Sequence, residues 1–125
     1  TVDLPGKVFN GVFYALNGAQ LDIVGDGDVT IASGIGPFIW CTGADTQVNI
    51  YGGNWTQNSP DFENDFCEGL YANRKGEVNI YGGTFVNFDP STGGNDPGNI
   101  RVMEGYKVVS ETQDNGDVWY TVVKK

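Results

Sequence analysis

Short runs of alternating apolar and polar residues, cut by Gly, Asn and Asp, recur along almost the whole chain. Leu21, Ile23, Val29 and Ile31 alternate with polar neighbours in one stretch, Val48 and Ile50 in a second, Val78 and Ile80 in a third. A period of two over three to five residues, bounded by turn residues, predicts short half-buried β-strands. No window of a dozen residues shows apolar side chains at helical spacing, and each glycine would cost a helix interior about 1 kcal/mol. The chain therefore reads as all-β.

The strands repeat. Tyr14 to Ile23 aligns without a gap on Tyr71 to Ile80, and Cys41 to Ile50 fits the same frame. Val48-Asn49-Ile50-Tyr51-Gly52-Gly53 matches Val78-Asn79-Ile80-Tyr81-Gly82-Gly83 at every position, and Asn54-Trp55-Thr56 then stands against Thr84-Phe85-Val86. A weaker fourth copy is read at Gly105-Tyr106-Lys107-Val108-Val109, so the spacings are 27, 30 and 30 residues. One repeat of this length cannot bury its own apolar face, so each is expected to stack on the one before. Asn79 falls beneath Asn49 with Asp22 in the same column, which predicts a short ladder of hydrogen-bonded side chains.

Composition narrows the chemistry. The 125 residues are a prior for one domain. With 16 acidic and 7 basic side chains the net charge is -9, which leaves no basic face for nucleic acid or anionic membranes. There is no histidine, hence no Ser-His-Asp or Cys-His nucleophile and no histidine metal ligand. No apolar run approaches the roughly 20 residues of a membrane span, so membrane insertion is not expected. The start, Thr1-Val2-Asp3-Leu4-Pro5, is expected to be that of a fragment or a processed product. Cys41 and Cys67 could form one disulfide or be two ordinary buried residues.

Three groups of residues are candidates for function. The segment from Gln57 to Leu70 carries Asp61, Glu63, Asp65 and Glu68, which could supply the acid and base of glycoside hydrolysis, an oxygen-rich calcium site, or only a solvated loop. Asp22, Asp26 and Asp28 surround Gly25 and Gly27 and could ligate calcium, although their spacing fits no EF-hand and suits a plain turn. Calcium is thus the one cofactor to consider. Tyr51 with Tyr81, and Trp55 with Phe85, form two aromatic columns that could stack on sugar rings or simply pack in the repeats. Trp40 reads as a packed side chain.

The stretch Leu21-Asp22-Ile23-Val24-Gly25-Asp26-Gly27-Asp28-Val29-Thr30-Ile31, followed by the two Val-Asn-Ile-Tyr-Gly-Gly segments, resembles the right-handed parallel β-helix proteins related to pectate lyases and phage tailspikes. The resemblance runs from Val8 to Val109. It implies a single-stranded right-handed parallel β-helix of about four short coils, each of three strands, with a differently patterned segment closing the end. Residues 1–107 are then the coils and 108–125 a C-terminal capping hairpin of the same domain, turning at Asp114-Asn115-Gly116-Asp117.

That architecture hosts enzymes, adhesins and inert stalks alike. The expected function is a structural β-solenoid subunit on a virion or cell surface, of the tailspike, fibre or capsid-decoration type, with glycan attachment as an optional second role. The viral relatives are commonly homotrimers, and a thin core with surplus aromatics also favours association with copies of itself or with other surface proteins. The alternative is a non-catalytic glycan-binding module using Tyr51, Trp55, Tyr81 and Phe85, or a fragment of a carboxylate-based polysaccharide lyase or hydrolase.

Overall fold

The computed structural model describes residues 2–3, 8–10, 13–31, 39–57, 70–92 and 99–125. In chain order the strands are β1 (Val2–Asp3), β2 (Val8–Asn10), β3 (Phe13–Leu16), β4 (Gln20–Val24), β5 (Asp28–Ile31), β6 (Ile39–Thr42) and β7 (Gln47–Ile50). They continue as β8 (Asn54–Gln57), β9 (Leu70–Asn73), β10 (Glu77–Ile80), β11 (Thr84–Val86), β12 (Ile100–Val102), β13 (Tyr106–Thr112) and β14 (Val118–Lys124). Successive strands do not pair with each other until the last two. Each joins the equivalent strand of the neighbouring repeat, which gives a first sheet in the order β1-β4-β7-β10-β12 and a third sheet β3-β6-β9. The second sheet runs β13-β14-β11-β8-β5-β2.

The alternation read from the sequence becomes the inside and outside of these sheets. Ile23, Val48, Ile50, Val78, Ile80 and Ile100 point inward from the first sheet, Val29, Trp55, Phe85 and Val122 from the second, and Phe13, Ala15, Ile39, Cys41, Leu70 and Ala72 from the third. They meet in one apolar cluster. Trp55 lies at its centre, stacked on Phe85 at 6.1 Å and edge-on to Phe13 at 6.0 Å, with its indole N–H donated to the Gly52 carbonyl at 3.0 Å. Removing that much apolar area from water is the main force holding the three sheets together.

The paired glycines make the corner between the first and second sheets. Gly53 and Gly83 have φ of 98° and 99°, in the left-handed region that side chains avoid. A Cβ on Gly82 would run into the Tyr51 carbonyl oxygen, and one on Gly52 into that of Gly25. Close approach of successive repeats therefore demands glycine at this place in both Val-Asn-Ile-Tyr-Gly-Gly segments.

The expected architecture is corrected on these observations. The chain is not a single right-handed parallel β-helix of about four coils with an appended capping hairpin: its strands lie in three separate sheets, and the six-stranded one is mixed. Strands of neighbouring repeats do pair in parallel, but β14 pairs antiparallel with β11, and β13 antiparallel with β14. The C-terminal hairpin continues the second sheet because the unpaired edge of β11 offers the hydrogen-bonding groups that β14 needs. The support for a tailspike, fibre or capsid-decoration role goes with the architecture it rested on.

Two register expectations are also corrected. The fourth copy of the repeat in the first sheet is β12, the last of its five strands, with Ile100 opposite Val78 and Arg101 opposite Asn79, whereas Tyr106 to Val109 belong to the hairpin. In the third sheet Tyr14 pairs with Trp40, and Ala15 with Cys41, so the gapless frame that set Tyr14 on Cys41 is off by one. The link after β6 spans residues 43–46, one more than the links 17–19 and 74–76. Its extra residue lets Thr46 turn inward, where it is fully buried and its hydroxyl oxygen accepts the Gly18 N–H at 2.8 Å.

Candidate functional site

The outer face of the first sheet carries the polar columns. Between inward-facing neighbours, Asp22, Asn49, Asn79 and Arg101 occupy one register position on β4, β7, β10 and β12. The Asn49 amide donates to Asp22 Oδ1 at 2.9 Å, the Asn79 amide to Asn49 Oδ1 at 3.0 Å, and Arg101 Nε to Asn79 Oδ1 at 3.2 Å. The ladder thus runs from a carboxylate to a guanidinium, with each amide accepting on one side and donating on the other. Asn79 is almost wholly buried, so its amide needs both partners. Beside it lies a second column, Gln20, Gln47 and Glu77, in which Gln47 Nε2 donates to Glu77 Oε2 at 3.1 Å.

The expected ladder of Asp22, Asn49 and Asn79 is formed, and Arg101 extends it. The repeat spacing hid Arg101, because the step from Val78 to its partner Ile100 is shorter than the steps before it. Ile100-Arg101-Val102 nevertheless has the apolar-polar-apolar pattern of Val78-Asn79-Ile80, and that pattern was the available signal.

Just beyond β7 and β10, Tyr51 and Tyr81 stack with ring centroids 4.8 Å apart and planes 10° from parallel. Tyr106 meets Tyr81 edge-on at 5.6 Å. Tyr51 is 47% exposed. Reduced hydration, and after it the nearby Asp22 carboxylate, hold its phenol above the ordinary tyrosine range. The structure therefore separates the four aromatic candidates into two pairs. Tyr51 and Tyr81 stand together on the outside, whereas Trp55 and Phe85 lie in the core with no exposed surface.

Asp22 is committed to the ladder, Asp26 is exposed on the bend before β5, and Asp28 is exposed at the first position of β5. Among the described residues no three Asp, Glu or Cys side chains gather around a point where a metal ion would sit. Asp61, Glu63, Asp65 and Glu68 lie outside the described residues, as does Cys67. Cys41 is a free, buried thiol, donating weakly to the carbonyls of Glu77 at 3.4 Å and Thr46 at 3.5 Å. Burial first, and the Glu77 carboxylate in part, push its pKa upward, which makes it a poor nucleophile.

An aromatic contact absent from the sequence reading lies on the outer face of the third sheet. Tyr14, 52% exposed, leans on the half-buried Trp40 with ring centroids 5.3 Å apart, next to the exposed Leu16. The one-residue slip in the repeat frame concealed it, since a slip of one assigns a side chain to the opposite face. Compared with protein-family models, curated proteins and solved structures, the chain matches none of them.

Proposed function

We propose that this chain is a non-catalytic structural unit of a cell-surface or extracellular assembly, a rigid stack whose repeats hold one another in register. The observation that carries this reading is the ladder of Asp22, Asn49, Asn79 and Arg101, in which the groups most suited to chemistry on the first sheet are spent on one another. Stacked amides and stacked rings in consecutive repeats resist the one-residue slips to which short strands are prone. Limited proteolysis with thermolysin tests the proposal. The folded chain should resist cleavage within the strands of its three sheets, and Asn49→Ala should shorten the lifetime of the resistant material. Steady release of reducing ends or unsaturated sugars from a polysaccharide panel would overturn it in favour of an enzyme.

A second reading, attachment to glycans, is favoured by one observation: Tyr51 is half exposed beside Asp22 and Asn49, an aromatic surface next to polar groups. It is tested by titrating oligosaccharides while following tyrosine fluorescence. Saturable binding lost in Tyr51→Ala supports the reading, and binding unchanged in that variant removes it.

A further inference from the structure

The second sheet ends in a free edge. β13 pairs with β14 on one side and with no strand on the other among the described residues. Lys125 N–H donates to Gly105 C=O at 2.9 Å and Gln113 N–H to Asp117 C=O at 2.7 Å, which fixes the alternation along the ladder between them. Lys107, Val109 and Glu111 direct their backbone groups to β14, so Val108, Ser110 and Thr112 direct theirs away from it. Tyr106 N–H, of the same parity, is taken by the Met103 C=O at 3.1 Å, and the outward N–H and C=O groups of Val108, Ser110 and Thr112 are a template for another strand.

The side chains specify which strand. Lys107, Val109 and Glu111 are exposed on the outer face, with Val109 42% exposed and Trp119, opposite Glu111, 40% exposed. We infer that β13 pairs antiparallel with β13 of a second copy, about a twofold axis at Val109. That register sets Val109 against Val109, Lys107 against Glu111 and Glu111 against Lys107, while Val108 and Ser110 exchange backbone hydrogen bonds. It satisfies the parity of the edge, since outward-bonding residues meet outward-bonding residues, and it overlaps all seven residues. Moving the axis to Val108 or Ser110 keeps the parity but loses both charge pairs and leaves residues unpaired. A lone lysine on an edge ordinarily discourages pairing. Here Glu111 answers Lys107 in this register and in neither shifted one, so the same charges choose the partner as a second copy and fix its alignment.

The result is a dimer with one continuous mixed sheet of twelve strands, two copies of the six. The inference rests on the structural reading and supplies its partner, but the two fail separately, because proteolytic resistance does not depend on dimerisation.

Sedimentation equilibrium of the full chain over a wide dilution range is the test, with far-UV circular dichroism confirming that each variant is folded. The unmodified chain should follow a monomer–dimer equilibrium. Lys107→Glu or Glu111→Lys alone should weaken it about tenfold or more, since two attractive pairs become repulsive. Mixing the two single variants one to one, or combining both changes in one chain, should restore it. Ser110→Pro removes an outward N–H and leaves the bonds to β14 intact, so it should abolish dimerisation with the fold retained. A monomer at every concentration, a trimer, single charge variants that associate like the unmodified chain, or failure of the mixture to recover would each overturn the inference.

Discussion

Asn79 donates its side-chain amide to Asn49 Oδ1 at 3.0 Å, and Asn49 in turn donates to Asp22, so one residue in the middle of the first sheet serves two others at once. Neither asparagine is replaceable by an apolar residue of similar size without stranding a partner. Asn49→Ala leaves the almost buried Asn79 amide without its acceptor and Asp22 without its donor. The expected loss is about 1–3 kcal/mol, the desolvation cost of a buried polar group left unpaired. Glu104→Ala, at an exposed position, should leave the urea midpoint within experimental error of the unmodified chain. Equal midpoints for the two variants would mean that the ladder adds nothing to stability.

The part of this arrangement legible in the sequence is the part carried by local alternation and by identity between repeats. Val48 to Gly53 and Val78 to Gly83 mark two strands, their inward positions, the asparagine column and the glycine corner, because all of these depend on residues close in the chain. Three features depended on something else. The extra residue at 43–46 shifts Trp40 by one and so reverses its face. The short step to β12 hides Arg101 from a fixed period. The union of β14 with β11 is a pairing between remote segments, selected by an open sheet edge rather than by any local pattern. The two aromatic columns looked equivalent for a related reason. Tyr51 sits just beyond β7 on the outside, whereas Trp55 takes an inward position of β8, and only the placement of the corner between them decides which is which.

That corner gives a comparison of two glycines. Gly82→Ala would drive a Cβ into the Tyr51 backbone carbonyl, which belongs to the neighbouring repeat and cannot move without separating the two repeats. Gly116→Ala, in the hairpin turn, meets nothing within 4 Å and suffers only from its φ of 93°. The turn variant should lose about 1–2 kcal/mol from the left-handed conformation alone. The corner variant should lose about 3 kcal/mol or more, as for an overpacked core, or fail to fold. Chemical denaturation followed by circular dichroism measures both. A corner variant as stable as the turn variant would contradict the tight approach of successive repeats.

The aromatic pairs should also differ in energy. Trp55 has no exposed surface and touches Phe13 and Phe85, so Trp55→Ala should cost about 3–5 kcal/mol. Tyr51→Ala gives up one face-to-face contact at the surface and should cost about 0.5–1.5 kcal/mol. Thermal unfolding of the two variants distinguishes the columns. If Tyr51→Ala were the more damaging, the Tyr51–Tyr81 stack rather than the buried Trp55 would be the keystone of the repeats.

Cys41 provides the last prediction, through reactivity and pH together. Its thiol is fully buried and, chiefly for that reason, its pKa is raised from the reference value of 9.0. In a Cys67→Ser background, where Cys41 is the one remaining thiol, an aromatic disulfide reagent should react at least about 100-fold more slowly with the native chain than with the urea-unfolded one. The sign of the pH effect follows from the raised value. The unfolded chain releases the proton first, so the stabilisation is fully present below the unfolded pKa and is lost as pH rises from there towards the folded value. The unfolding midpoint should therefore fall as pH is raised through and above about 9, and Cys41→Ala should be less stable at neutral pH yet flatter over this window. Rapid labelling of the native chain, or an unchanged slope in Cys41→Ala, would show that the thiol is reached without unfolding and that burial does not govern its proton.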